Sequence, residues 1–489
     1  MIWYDAIVKA DGNETVCGKH RNQNIICTRL QGMKGRKYTM KTGFNWKRKL
    51  LSLLLLFCLL TGLAGSGTTV HAYNVPDNMK WWGDDKFGMF IHFGSYSYYG
   101  HGEWAMQTEG ISKETYQKTI SAKFDPEKFD AQEIVSYAKK AGMKYLVFTA
   151  KHHEGLAMWD TKVASFTDTT GQKIYSLQQY TPFGKTNRDI IMELKNACQQ
   201  AGIHFGLYYS IIDWNHSSQM VEGDFTKMAS WEARTAYIAD MKAQLKELVD
   251  TYDPEIMWFD GDWTYKKDNP TLKKWWTKQD GQDLYQYMKS LKSDIIVNER
   301  VCRSFGLGDF ECPEQSIPEK ALSRPWETCQ TMNNAWGYKK DCEKSYYNVR
   351  YMIQDLVEVA SKDGNYLLNI GPKGDGTMTA GSRKILKGIG NWMNRYGDSI
   401  YGTSGTPFAK KPSWGRYTRK DNVIYAHVMK WPKDQKLVTK KYAGKKVKKV
   451  YLLQNGKKLK YNATGKKVII KMPEKKPDKA DTVIAVQYQ

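Results

Sequence analysis

Short apolar runs in this sequence stop abruptly at residues that can move protons, bind hydroxyls or attack carbon. Residues 256–259, Ile-Met-Trp-Phe, end in Asp260 with Gly261 behind it. Residues 88–91 lead to His92, residues 145–150 to Lys151, His152 and His153, residues 204–208 to Tyr209 and Ser210, and residues 294–297 to Asn298, Glu299 and Arg300. A carboxylate, imidazoles and a guanidinium, each delivered by a different run, are the groups that acid–base and nucleophilic chemistry needs. An Asp-Gly pair alone is as readily a turn. Its repetition beside similar run ends is what singles out Asp260.

One carboxylate can attack carbon or activate water, but cleaving a glycosidic bond takes a second carboxyl group that protonates the leaving oxygen. Residues 308–315 offer Asp309, Glu311 and Glu314, and spacing does not choose among them. Trp and Tyr gather near the same run ends, as Trp104, Trp159, Tyr208, Tyr209, Trp214, Trp258, Trp263, Trp326 and Trp336. Aromatic faces give apolar area with little entropy to lose and stack on the C–H faces of sugars. Together with the His and carboxylate residues they indicate a carbohydrate cleft. His152 and His153 are not read as a metal pair, since neighbours on a strand point to opposite faces. No metal and no cofactor is expected.

These side chains need a scaffold that brings several strand ends to one place. Apolar stretches at helical spacing lie between the runs, at residues 131–141, 189–201, 231–249, 351–361 and 382–396, the first two closed by Gly142 and Gly202. Alternating strands and helices argue for a parallel sheet with helical crossovers. With the run 366–368 leading to Asn369 and Gly371, and further strands at 309–310 and 327–331, the count reaches about eight, the number that closes a (β/α) barrel, whose chemistry sits at the carboxyl ends of its strands. An open doubly wound sheet is the competing architecture, but no Gly-x-Gly-x-x-Gly follows the first strand, so a dinucleotide site has no support. Beyond residue 403 the chain turns to short β-type runs at 423–428, 447–453, 467–471 and 482–486, which predict a small antiparallel β-sandwich.

The formal charge of +23 over 489 residues suggests nucleic acid until it is located. Residues 1–72 carry 11 Lys/Arg against 3 Asp/Glu, residues 404–489 carry 23 against 5, and residues 73–403 carry 40 against 43. The segment with the candidate chemistry is slightly acidic, which disfavours a nucleic-acid-binding core. Lys47-Arg48-Lys49, the apolar run 50–60 and the small-residue ending Val70-His71-Ala72 read as a secretory signal within residues 40–72, short for a membrane span. Residues 1–39 then read as an upstream extension, and a secreted or extracytoplasmic protein is expected. After the signal, five Cys remain in a long chain, which is no disulfide-built scaffold. One bridge among Cys302, Cys312, Cys329 and Cys342 is compatible with export.

The motifs taken together resemble the α-L-fucosidases of glycoside hydrolase family 29. The residues that carry the likeness are Trp81-Trp82, Phe87-Gly88-Met89-Phe90-Ile91-His92-Phe93-Gly94, Glu103-Trp104, Lys151-His152-His153-Glu154-Gly155, Phe205 to Ser210, Trp258-Phe259-Asp260-Gly261, Trp326-Glu327-Thr328-Cys329, Trp336-Gly337-Tyr338 and Gly364 to Pro372. The resemblance implies a (β/α)8-like catalytic barrel over residues 73–403, a β-sandwich over 404–489, and a retaining double displacement without metal. It assigns Asp260 as nucleophile and Glu314, which closes an Asp-Phe-x-x-x-Glu segment, as acid/base, with Glu311 close by. It further implies that His92, Glu103, Trp104, His152, His153, Tyr209, Trp258 and Arg300 hold the fucose ring, and Arg300 is suited to keeping Asp260 ionised. The expected activity is exo-acting release of L-fucose from fucosylated oligosaccharides or glycoproteins, with no nucleic acid as partner. Another retaining exo-glycosidase and an inactive carbohydrate-binding protein are the competing readings. Lys residues in the tail alternate with apolar ones, as on a solvated outer face; if that charge has a function, an anionic wall polymer or acidic glycan is the expected contact.

Overall fold

The computed structural model describes residue 73, residues 75–220, 228–262, 275–303 and 305–489, and three short strands near the start of the chain. Those strands, β1 (Ala6–Ala10), β2 (Asn13–Gly18) and β3 (Ile26–Arg29), pair antiparallel in that order within a unit of their own, Met1–Ser66. The expected signal at 40–72 lies outside the described residues. Among those described, no helix is long and apolar enough to cross a membrane.

Among the described residues seven strands build the central sheet: β4 (Phe87–Ile91), β5 (Tyr145–Lys151), β6 (His204–Ser210), β7 (Ile256–Asp260), β8 (Ile296–Val297), β9 (Glu327–Thr331) and β10 (Asn365–Ile370). They pair in parallel in the order β8-β7-β6-β5-β4-β10-β9. The strand expected at 309–310 does not form a ladder. Residues 309–314 instead cross the gap between β8 and β9 through single parallel bridges, Asn298 to Phe310, Glu311 to Trp326 and Glu314 to Cys329. Pro313 has no N–H to give a ladder, and Gln315 turns the chain into the left-handed region at φ 49°. The barrel is therefore closed by an irregular eighth segment.

Period-two alternation along the strands separates two apolar layers. Phe90, Tyr145, Val147, Tyr208, Ile256, Trp258, Ile296, Phe310, Cys312, Cys329 and Leu367 fill the barrel interior. Met89, Leu146, Phe148, Leu207, Tyr209, Met257, Phe259 and Leu368 face the surrounding helices. Gly88 lets the Tyr145 ring fill the centre, since a Cβ at 88 would lie 2.3 Å from it. Among the described residues six helices clad the sheet: Ala131–Ala141, Ile190–Ala201, Trp231–Tyr252, Lys278–Leu291, Val349–Ala360 and Ala380–Tyr396. Each starts at a side chain that accepts a backbone N–H of the first turn, from Asp130, Asp189, Ser230, Thr277, Asn348 and Thr379 in turn. Lys278–Leu291 was not foreseen, because its buried face is only Gly281, Leu284 and Met288.

The C-terminal residues form two antiparallel sheets. One is β11 (Gly415–Lys420), β12 (Val423–Val428), β17 (Thr482–Tyr488) and β14 (Val447–Leu452); the other is β13 (Lys436–Lys440), β16 (Lys467–Lys471) and β15 (Tyr461–Thr464). β11, β13 and β15 escape the sequence reading because polar residues break their apolar pattern. The domain is anchored on the last two barrel helices. Trp392 donates to Asp481 O (2.9 Å), Gln354 to Ala480 O (2.9 Å), and Arg395 pairs with Asp478 (2.6 Å). Cys198, Cys302, Cys312, Cys329 and Cys342 are all free thiols. The side chain of Cys302 lies toward the helix layer, Cys312 and Cys329 occupy the barrel interior, and Cys342 is half-buried on a surface turn.

Candidate active site

At the carboxyl ends of the strands a cavity of about 240 Å³ opens to solvent, lined by Phe90, His92, Glu103, Trp104, His152, His153, Tyr208, Trp258, Asp260, Arg300, Arg303, Glu314, Cys329 and Trp336. β7 delivers Asp260 at its last position. The Asn298 side chain clamps the preceding residue by accepting from Phe259 N (2.8 Å) and donating to Phe259 O (2.9 Å). This side-chain clamp extends the short β8 pairing up to the carboxylate.

Arg300, buried on a single turn after β8, connects the two candidate carboxyl groups. Its Nη1 lies 3.0 Å from Asp260 Oδ1 and its Nη2 2.8 Å from Glu314 Oε2. Burial disfavours the guanidinium charge, but the Asp260 and Glu314 carboxylates outweigh it and raise the Arg300 pKa well above its ordinary value. The group also lies 4.6 Å from the centre of the Trp258 ring, a cation–π contact. Arg303 adds a second cation, 2.9 Å from Asp260 Oδ1 and 2.8 Å from Asp262 Oδ1. Asp260 is thus held by two guanidinium groups and largely enclosed, whereas Glu314 is 41% exposed at the mouth.

Hydrogen bonds fix the tautomers of His92 and His153. Asn369 Nδ2 donates to Trp336 O (2.7 Å), so its Oδ1 accepts from His92 Nδ1–H (2.7 Å) and leaves His92 Nε2 an acceptor. Ser210 Oγ donates to Ile212 O and accepts from His153 Nδ1–H, both at 2.6 Å, which places the ring proton on Nδ1, with Nε2 3.8 Å from Asp260 Oδ2. Burial, reinforced by His152, pushes the His92 pKa down to about 3 and that of His153 well below its ordinary value. Both rings are therefore neutral, and His92 Nε2 is an acceptor suited to a sugar hydroxyl. Glu103 Oε2 accepts from Gly337 N (2.8 Å), while burial raises its pKa. Tyr208, with its OH 3.5 Å from Asp260 Oδ2, keeps its proton because burial and then the Asp260 charge raise its pKa.

Of the residues singled out from the sequence, Asp260, Glu314, His92, Glu103, Trp104, His152, His153, Trp258 and Arg300 meet in this cavity. Tyr209 does not. Its OH donates to Gln244 on a surrounding helix (2.7 Å), because one step along β6 reverses the side chain, and Tyr208 takes the cavity position. His152 and His153 both face the cavity, with ring centres 4.2 Å apart. The expectation that they diverge fails because β5 ends at Lys151, so strand alternation stops before them. In the irregular segment, Phe310 and Cys312 point inward, and Glu314, two residues on, reaches the cavity. Glu311 does not line it, and Asp309 turns away to Tyr285 and Lys289. Trp159, Trp214 and Trp326 are core residues, and Trp263 lies outside the described residues. The sequence reading missed Arg303, Phe90 and Cys329 as cavity residues. Phe90 and Cys329 are legible as inward positions of β4 and β9, but Arg303, in an irregular turn, carries no periodic signal.

Comparison with known proteins agrees with this geometry. The profile of the family "Alpha-L-fucosidase" matches residues 67–398, and that of the "Alpha-L-fucosidase C-terminal domain" matches residues 410–487. The α-L-fucosidase of Dictyostelium discoideum is 30% identical over 424 residues, covering 80% of this chain and 87% of its own. Among solved structures, α-L-fucosidase isoenzyme 1 of Paenibacillus thiaminolyticus superposes with a TM-score of 0.74 at 31% identity, over 84% of this chain and 99% of its own. A Bacteroides thetaiotaomicron GH29 α-L-fucosidase, solved as a covalent intermediate trapped with 2-fluoro-fucosyl fluoride, does so at 0.73 and 29%, over 86% and 98%. On fold, cavity and family match alike, the chain belongs to the glycoside hydrolase family 29 α-L-fucosidases.

Proposed function

We propose that this glycoside hydrolase is exo-acting and releases terminal L-fucose from fucosylated oligosaccharides and glycoproteins by double displacement with retention. The reading is carried by one observation: the two terminal nitrogens of Arg300 hold Asp260 and Glu314 at once (3.0 and 2.8 Å). One guanidinium spanning both carboxyl groups keeps them close, which suits the roughly 5–5.5 Å of retaining enzymes better than the about 6.5–9.5 Å that an interposed water needs. Asp260 attacks the anomeric carbon as Glu314 gives its proton to the departing oxygen, leaving a fucosyl ester on Asp260. Water then attacks that carbon, Glu314 takes the water's proton, and Asp260 departs as carboxylate. The half-exposed position of Glu314 suits a group that meets the aglycone at the mouth.

The cavity, at about 240 Å³, is smaller than sites for drug-sized ligands, which suits one sugar ring and hence exo action. The neutral His92 Nε2 accepts from a ring hydroxyl, and Trp258, Trp104 and Trp336 offer faces to its C–H bonds. The covalent intermediate of the Bacteroides relative supports the same chemistry in this chain. The segment 47–72 supports action outside the cytoplasm. The deciding experiment uses an aryl α-L-fucoside. Asp260→Gly is expected to lower turnover by on the order of 10⁴-fold or more, and added azide to restore part of it while forming fucosyl azide of inverted configuration. Failure of every small anion to rescue would remove Asp260 as nucleophile.

A further inference from the structure

The excess charge of the C-terminal domain is displayed in a specific pattern on one sheet. In β13-β16-β15, Leu437, Thr439, Val468 and Ile470 are buried in the domain, while Lys436, Val438 and Lys440 on β13 and Lys467, Ile469 and Lys471 on β16 point outward. The register sets Lys436 opposite Lys471 and Lys440 opposite Lys467, with Val438 opposite Ile469 between them. Like charges directly opposite across a strand pair are destabilising. Lysine on an edge strand guards against edge-to-edge aggregation, which accounts for β13. It does not account for Lys467 and Lys471, because β16 is the central strand.

None of these four lysines has a carboxylate partner among the described residues; Lys440 lies 5.7 Å from the centre of the Phe408 ring. Beside them a groove of about 410 Å³ is lined by Lys436, Lys460, Lys471, Tyr461, Asn462 and Ile469. Asp434, the acidic residue at its edge, is engaged by the backbone N–H of Lys436 (3.2 Å). Two lysine pairs about 13 Å apart along the strands, with an aliphatic strip between them (Val438 46% exposed, Ile469 38%), form an unpartnered face of one sign.

We propose that this face binds an extended acidic polysaccharide, whose carboxylate or sulfate groups the paired ammonium groups neutralise and whose C–H faces lie on Val438 and Ile469. The strip between the pairs is aliphatic, and the groove beside it offers Tyr461 alone among aromatic residues and no arginine, short of the row of stacking rings and arginines that single-stranded nucleic acid binding uses. Lysine, a point charge, also makes no demand for planar bidentate partners. The site does not depend on which sugar the barrel cavity accepts.

The test compares two full-length variants with equal charge change, K436Q/K440Q/K467Q/K471Q on this face and K445Q/K446Q/K448Q/K457Q elsewhere in the domain. Binding to immobilised polygalacturonate is measured at about 0.15 M salt, and thermal unfolding shows that both variants are folded. The wild type is expected to bind and to weaken as salt rises. The face variant is expected to lose about tenfold or more in affinity, and the control variant less than about threefold. Equal weakening of both variants, no binding by the wild type, or duplex DNA bound as tightly as polygalacturonate would each overturn the proposal.

Discussion

Tyr208 and Tyr209 are chemically identical neighbours with different surroundings. Tyr208 keeps a protonated OH beside Asp260, whereas Tyr209 donates to Gln244 in the helix layer. Tyr208→Phe is therefore expected to lower kcat/KM by roughly 2–10-fold, the worth of about one hydrogen bond, with little change in stability. Tyr209→Phe should leave kinetics intact and cost about 1–2 kcal/mol of stability by stripping a buried acceptor of its donor; the reverse pattern would return Tyr209 to the site. Glu327, at the edge of the Trp258 ring, supplies a pH-dependent contribution to stability. Its Oε1 accepts from Trp258 Nε1 (3.1 Å), its Oε2 from Tyr145 OH (2.5 Å), and burial raises its pKa to about 7. The folded state holds this proton when the unfolded chain has lost it, so the stabilising contribution is full below the ordinary carboxyl pKa and is lost as pH rises to about 7. Glu327→Gln removes that dependence. Thermal unfolding from pH 5 to 8 should show the wild type falling relative to this variant as pH rises, and parallel curves would refute the assignment.

Among the elements, the irregular eighth segment is the one on which the chemistry turns. Gly308 starts it at φ 73°, and a Cβ there would lie 2.3 Å from Asn298 O, the residue whose side chain clamps Phe259. Gly308→Ala is thus expected to shift the segment that carries Glu314 and lower kcat by tenfold or more, with a stability loss of roughly 1–3 kcal/mol. Wild-type kcat in this variant would show that the segment does not set the Glu314 position. The strands before it were legible in the sequence because both sides of a parallel strand are buried and the runs are continuously apolar. Of residues 309–314 only a strand at 309–310 was read, and their irregular course was not, since their pairing depends on β8 and β9 coming together from distant parts of the chain.

The whole molecule couples a slightly acidic barrel to a basic sandwich through a buried junction. Trp392, 1% exposed on the helix Ala380–Tyr396, donates to Asp481 O, while Tyr425, Ala480, Val483 and Ala485 join the barrel's outer apolar layer. Trp392→Ala is expected to cost roughly 3–5 kcal/mol and to make the sandwich a preferred site of limited proteolysis. Unchanged chemical unfolding and cleavage would show that the two domains are held together elsewhere. The composition shift near residue 404 marked this boundary, but the contacts that bridge it are scattered single residues with no common sequence pattern.

What the sequence determined by itself was the list of parts: apolar runs ending in Asp260, His92, His152 and Arg300, five helical stretches between about eight short strands, and a basic tail. Those follow from local chemistry, since periodicity and capping are written within a dozen residues. The tertiary structure decided which neighbour faces inward, Tyr208 over Tyr209 and Glu314 over Glu311, and it brought Arg303 beside Asp260. Such choices depend on strand register and on where strands stop, and both are set by packing between segments far apart in the chain.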